Sequence, residues 1–321
     1  MKTIDVKVVR KAKEAEDICS FELAVVDGSP LPAFSAGSHI DVHIGDGTIR
    51  QYSLCNNPEE RHRYVIGVLR DPKSRGGSIA MHERVREGDI IRISEPKNHF
   101  PLVPAKRTLL FAGGIGVTPI LCMAERLAHI GAEFEMHYCT RSRDRTAFVE
   151  RIAQSPYAGR VHVHFDDGPA EQKLDLPRLL SAPDADTHLY VCGPGGFIDF
   201  VTGTAKQNSW AATNVHLEYF GAQPQAAADR SPDQAFEIRI ASTGKTYTVP
   251  ADRSVIKVLE ENDVFVPISC EQGVCGTCIT RVLDGVPDHR DMYFTDEEKA
   301  KNDQFTPCCS RARSECLVLD L

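Results

Sequence analysis

The chain has 321 residues, of which 42% are hydrophobic and 26% charged, and a formal net charge of −8 at pH 7. That length exceeds one ordinary core and predicts two or three globular domains. The acidic balance argues against general nucleic-acid binding, no apolar run is long enough to span a membrane, and the N-terminal MKTIDVKVVRKAKEAED lacks a signal-peptide core. A cytoplasmic chain bound to neither nucleic acid nor membrane is therefore expected. There the 11 cysteines read as free thiols and metal ligands rather than disulfides.

From residue 3 to 104, apolar and polar residues alternate in short runs: Ile4, Val6 and Val8; Cys19, Phe21 and Leu23; Ile40, Val42 and Ile44. Turn signals such as Asp27-Gly28-Ser29-Pro30 and Asn56-Asn57-Pro58 separate them, which predicts an antiparallel barrel over 1–104. Two motifs lie on it: Arg50-Gln51-Tyr52-Ser53 on a strand, and Arg75-Gly76-Gly77-Ser78 before a helical segment, 79–85. A glycine pair entering a helix can offer N–H groups to a phosphate. Alone, each motif also fits an ordinary surface strand and an ordinary Ser-capped loop.

After Pro104 the pattern becomes strand, glycine turn, helix. Thr108–Ala112 is apolar, Gly113-Gly114-Ile115-Gly116-Val117-Thr118-Pro119 follows, and 120–130 reads as a helix ended by Gly131. Strands are expected at 133–140, 161–165 and 187–191, with a helix at 147–153. This alternation predicts a doubly wound, mainly parallel sheet over 105–223, with ligands at the strands' C-terminal edge. Cys192-Gly193-Pro194 falls at that edge, and the segment ends on Glu218-Tyr219-Phe220-Gly221. Arg141 and Arg143 follow a strand, where they would grip a 2′-phosphate or simply be solvated.

Residues 222–234 (AQPQAAADRSPDQ) read as a linker into a third domain over 224–321. A hairpin is expected from Phe236, Ile238 and Ile240 through Gly244 to Val249, then a helix capped by Ser254 with Val255, Val258 and Leu259 inside. Strands at 278–283 and 317–319 complete a β-grasp-like α+β module. Within it, Cys270, Cys275 and Cys278 are spaced C-x4-C-x2-C, with Cys308 and Cys309 further on. This is the plant-type spacing for a [2Fe–2S] cluster, which needs four thiolates, whereas a zinc site pairs its ligands in two short units. Gly273 and Gly276 would let the backbone approach the sulfides.

Arg50–Ser53 followed by Arg75–Ser78 resembles the flavin barrel of the ferredoxin–NADP reductase superfamily. The resemblance implies that Tyr52 stacks on the isoalloxazine, Arg50 meets the flavin or its phosphate, and Ser53 bonds the ring edge beside Gln51. Arg75, Gly76, Gly77 and Ser78 would hold the phosphate. It further implies a nicotinamide site from Gly113, Gly114, Gly116, Thr118, Pro119, Gly193 and Pro194, with Cys192, Thr118 and Glu218 at the reacting end and Phe220 near the flavin. The last domain resembles plant-type ferredoxins, in which about 29 residues precede the fourth ligand. Between Cys278 and Cys308 lie 29 residues, and between Cys278 and Cys309 lie 30, so Cys308 is expected to ligate with Cys270, Cys275 and Cys278, and Cys309 to turn away.

The whole order resembles the phthalate dioxygenase reductase family, whose arrangement vanillate O-demethylase reductases share. The resemblance extends to Asp288-His289-Arg290-Asp291; Thr306-Pro307-Cys308-Cys309 departs from the pattern. It implies a monomeric oxidoreductase that takes electrons from NADH through FMN and the cluster to a terminal Rieske oxygenase acting on an aromatic compound. An FAD-containing reductase with another acceptor, and a redox sensor without turnover, are the alternatives.

Overall fold

The computed structural model describes residues 3–45, 48–72, 76–221, 233–268, 270–274 and 276–321. Residues 1–220 form one compact unit and 221–321 a second. Arg75, Cys275 and most of the expected linker lie outside the described residues.

The first unit opens with β1 (Thr3–Ala15), β2 (Ile18–Val25), β3 (Ser38–His43), β4 (Ile49–Ser53), β5 (Tyr64–Leu69), α1 (Gly77–Glu83), β6 (Ile90–Ser94) and β7 (Lys97–Asn98). The strands pair antiparallel in the order β4-β3-β6-β1-β2-β5, with β7 on β3. A bridge from Leu54 to Ile66 joins the two ends, so the sheet curls shut. The expected alternation is what fills it: Val6, Val8, Phe21, Leu23, Ile40 and Val42 are fully buried in one core. Each such side chain contributes about 1.5–3 kcal/mol.

Next come β8 (Arg107–Gly113), α2 (Val117–His129), β9 (Glu133–Thr140), α3 (Val149–Ala153), β10 (Val161–Phe165), α4 (Leu176–Leu179), β11 (Thr187–Gly193), α5 (Gly195–Gln207) and β12 (Val215–Tyr219). Their sheet is parallel, in the order β10-β9-β8-β11-β12, so the order reverses between β8 and β11, where ligands bind in such sheets. The helix expected from residue 120 starts at Val117. Thr118 and Pro119 thus lie in its first turn, where proline's missing N–H is not needed. The helix expected at 147–153 begins at 149, because Phe148 takes a left-handed φ of 62°. Helix α2 buries Ile120, Leu121, Met123 and Ala124 in a core shared between the parallel sheet and the barrel residues Ala36, Cys55, Val65 and Phe100.

The second unit contains β13 (Phe236–Ile240), β14 (Thr246–Val249), α6 (Val255–Glu261), β15 (Thr280–Asp284), β16 (Pro287–Asp288), α7 (Asp296–Lys301), β17 (Gln304–Phe305), β18 (Arg311–Ala312) and β19 (Cys316–Leu319). The sheet order is β14-β13-β19-β15-β17, with β13 parallel to β19. The Ser254 side chain caps α6 by accepting from the Lys257 N–H. Val255, Val258 and Leu259 of α6 join Ile238, Leu317 and Leu319 in the core. The strand expected from Cys278 starts two residues later, at Thr280, leaving Cys278 in the preceding turn.

Candidate functional site

Strand β4 carries Arg50, Gln51, Tyr52 and Ser53 beside β3, in a register that pairs Ser53 with His39 and Gln51 with Asp41. Gln51 donates to Asp41 Oδ1 (3.0 Å), and Asp41, itself buried, is ion-paired to Lys97 at 2.7 Å. Two polar atoms in this strand pair are buried without a hydrogen-bond partner, Tyr52 Oη and His39 Nε2. Burial raises the Tyr52 phenol above its ordinary range, and burial, with His99 close by, lowers His39 to about 4. Both are therefore neutral at pH 7 and able to serve a polar ligand edge. The glycine loop meets this strand: a Cβ on Gly77 would come 2.6 Å from Arg50 Cγ. Gly76 takes φ 92°, and Ser78 Oγ accepts from the Asp71 N–H (3.2 Å) rather than capping α1. Arg50 and the Gly76–Ser78 loop are thus brought together, whereas Arg75 lies outside the described residues.

The glycine turn after β8 and the Cys192–Pro194 edge also converge. A Cβ on Gly116 would collide with the Cys192 carbonyl, so only a bare backbone fits there. Cys192 is fully buried and pairs in register with Glu218 on β12. Glu218 retains some exposed surface, yet its Oε2 is buried without a partner. Burial lifts its carboxyl to about 8, and burial, reinforced by Glu218, raises the Cys192 thiol well above its ordinary value. Thr118 Oγ1 donates to the Ile115 carbonyl (3.1 Å), and its methyl faces the barrel, since a Cβ on Gly67 of β5 would stand 2.8 Å from it. Phe220, at the end of this unit, is 44% exposed. Beyond the expected residues, a cavity of about 200 Å³ opens at the C-terminal ends of β9 and β10, lined by Cys139, Asp166, Lys173, Phe197 and Phe200. Arg141 and Arg143 are exposed on the loop after β9.

In the second unit the Cys308 thiol is in hydrogen-bonding contact with those of Cys270 and Cys278, and this sharing raises it far above its ordinary value. Cys309 is also within reach of Cys308, but its Sγ lies 3.3 Å from Thr306 Oγ1 and against Gly273. Gly273 and Gly276 have φ of 72° and 68°, and a side chain on them would meet Cys309 Sγ and the Tyr293 ring respectively. Tight packing, as well as access to the sulfurs, demands these glycines. Cys275 of the expected four lies outside the described residues. The soft thiol donors that do converge suit an iron–sulfur cluster. Asp288–Asp291 is a packed turn. Asp291 is buried and accepts from the Tyr293 and Phe294 N–H groups, and Arg290 is ion-paired to Asp288 and Asp233.

Comparison with known proteins agrees with these features. Residues 238–313 match the 2Fe-2S iron–sulfur cluster binding domain. The chain is 57% identical over 320 residues to the vanillate O-demethylase oxidoreductase of Pseudomonas putida, covering 99% of this chain and all of that protein. It is 41% identical over 317 residues to the phthalate dioxygenase reductase of Burkholderia cepacia, covering 98% and 96%. A solved phthalate dioxygenase reductase, described as a modular structure for electron transfer from pyridine nucleotides to [2Fe-2S], superposes with a TM-score of 0.77 at 40% identity over 99% of this chain and 98% of that one. A type IV self-sufficient cytochrome P450 monooxygenase superposes with a TM-score of 0.86 at 37% identity, over 99% of this chain but 41% of that one. No helix of the described residues is long and apolar enough to cross a membrane. On identity sustained along its full length, the chain belongs to the family of vanillate O-demethylase oxidoreductases and phthalate dioxygenase reductases.

Proposed function

We propose that this chain is the reductase component of a two-protein oxygenase. It would take electrons from NADH, pass them through FMN and a [2Fe–2S] cluster, and deliver them to a Rieske-type oxygenase that demethylates or hydroxylates an aromatic compound. Residues 1–104 are assigned to the flavin, 105–223 to the nicotinamide and 224–321 to the cluster. The observation that carries this reading is the seam inside the first unit, where Thr118 of the nicotinamide turn abuts Gly67 of the flavin barrel. The aromatic substrate is supported by two vanillate O-demethylase oxidoreductases that are 57% and 58% identical to this chain.

Arg50, the Gly76–Ser78 loop and Arg75 would hold the flavin phosphate, with Tyr52 and Ser53 along the ring. The buried, unpartnered Tyr52 Oη and His39 Nε2 are what such a polar ring would satisfy. A bound flavin accepts an electron pair and releases electrons singly, which is the conversion a cluster requires. Gly113, Gly114, Gly116, Pro119, Gly193 and Pro194 would shape the nicotinamide cradle, and Thr118 would orient the ring. Phe220 would lie near the flavin. Cys192, neutral and dry, would line the reacting face, and Glu218 would hold a proton at Oε2 beside it. Asp166 and Lys173 both line the cavity at the ends of β9 and β10, where the Asp166 carboxylate would accept from ribose hydroxyls. Cys270, Cys275, Cys278 and Cys308 would carry the cluster.

The test is anaerobic mixing of iron-replete protein with NADH, followed by addition of a vanillate-demethylating Rieske oxygenase component, vanillate and then dioxygen. Bleaching of the flavin and cluster bands, FMN in the acid supernatant and formaldehyde release are expected. FAD in the supernatant, or bleaching without any electron delivery to the oxygenase, would redirect the reading to another reductase class.

A further inference from the structure

Hydride transfer falls off steeply when donor and acceptor are misplaced by as little as an ångström. Whatever fixes the flavin strand against the nicotinamide helix therefore sets the rate. Helix α3 supplies Arg151, whose Nη2 donates to the Cys55 carbonyl (2.8 Å) and to Glu125 Oε1 (2.9 Å). Cys55 lies two residues beyond Ser53 on the chain leaving β4, and Glu125 lies on α2, whose first turn holds Thr118. Tyr157 Oη donates to the same Glu125 oxygen (2.9 Å), so the acceptor is itself held. Cys55 is fully buried, and its Sγ lies 3.9 Å from Arg151 Nη1. One guanidinium nitrogen, Nη2, thus bonds the flavin strand's exit and the nicotinamide helix at once.

A second contact sets closeness where Arg151 sets register. Gly67 of β5 lies against Thr118 Cγ2 and the Phe148 ring, at 2.8 and 3.1 Å from where its Cβ would be. Any larger residue must push the start of α2 off the barrel or turn Thr118 away. We infer that Arg151 and Gly67 are positioning residues that fix the register and the separation of the flavin strand and the nicotinamide helix. The inference rests on the reductase reading above.

The experiment compares R151A, R151K and G67A with the unaltered full-length protein. Stopped-flow flavin bleaching against NADH concentration separates the limiting rate from the dissociation constant. The long-wavelength absorbance of the NADH–flavin complex reports ring contact, and hydrogen exchange reports protection at 52–58 and 117–127. For R151A and G67A, a limiting rate at least about tenfold lower is expected. The dissociation constant should stay within about threefold, the long-wavelength band should weaken, and exchange should quicken in those two segments. R151K should recover part of the rate. Limiting rates within twofold of the unaltered protein, or losses that only track lost flavin or a lowered melting temperature, would overturn the inference. If the unaltered protein is not bleached by NADH, the reductase reading fails, and unchanged exchange in R151A would then overturn the clamp separately.

Discussion

Glu218 shows how one buried atom shapes both chemistry and stability. Its Oε2 has no partner, and burial raises its carboxyl to about 8. Below the ordinary glutamate value both folded and unfolded chains hold the proton, and burial costs no charge. Between that value and about 8 only the folded chain keeps it, so stability falls as pH rises, by up to about 1.4 kcal/mol per pH unit. Between about pH 5 and 8.5 the unaltered protein should therefore lose on the order of 3 kcal/mol relative to Glu218→Gln, read as a widening gap between their denaturant midpoints. Parallel pH curves for the two proteins would contradict the assignment. The doubled cysteine gives a second prediction at this scale. Cys308 contacts Cys270 and Cys278, whereas the Cys309 sulfur is occupied by Thr306 and Gly273. Cys308→Ser should abolish iron content and visible absorbance, and Cys309→Ser should keep most of both. Equal loss in the two variants would reassign the ligand.

At the scale of elements, the turn between β8 and α2 separates two reasons for glycine. Gly114 has φ 53° with open space where its Cβ would be, so an alanine there costs only left-handed strain, about 1 kcal/mol. Gly116 lies against the Cys192 carbonyl, so an alanine must part the two loops. Gly116→Ala should lower the melting temperature of the first unit by more than Gly114→Ala does, and should weaken NAD+ binding by at least about tenfold, read by calorimetry. The same turn shows what was legible in the sequence. Its strand, glycines and helix could be read because each follows local rules of alternation, capping and chirality. Strand β5, Tyr-Val-Ile-Gly-Val-Leu, could not, because it is covered on both faces: Tyr64, Ile66 and Val68 fill the barrel, while Val65 packs toward the parallel sheet. Period-2 alternation disappears when neither face meets water. Helix α7 was missed although Thr295 and Glu298 form a capping box, because its six residues include no buried one to mark a face. Arg151 gave no signal, since its partners Cys55 and Glu125 are 96 and 26 residues away. The cysteine spacing was legible for the opposite reason, since three of its four cysteines fall within nine residues of sequence.

Over the whole molecule, charge is unevenly divided between the two units. Asp and Glu outnumber Lys and Arg by 17 to 11 across residues 221–321, but only by 28 to 26 across the rest. The smaller unit thus carries most of the net negative charge. It is also the unit that must meet another protein, if the cluster hands electrons on as proposed. An acidic electron donor is steered toward a basic acceptor surface, and that steering is screened over about 10 Å at 0.1 M salt. On the proposed assignment, reduction of the flavin by saturating NADH would happen inside the nearly balanced first unit, over contact distances that salt screens little. The two half-reactions should therefore separate on a salt titration. Between about 20 and 300 mM NaCl, the apparent KM for the oxygenase component in NADH-driven turnover should rise at least about fivefold. The limiting rate of flavin bleaching should stay within twofold over the same range. Equal sensitivity of both would place the charge effect inside the first unit rather than at the encounter with the acceptor. Insensitivity of both would mean that the acidic surface of residues 221–321 is not where the acceptor docks.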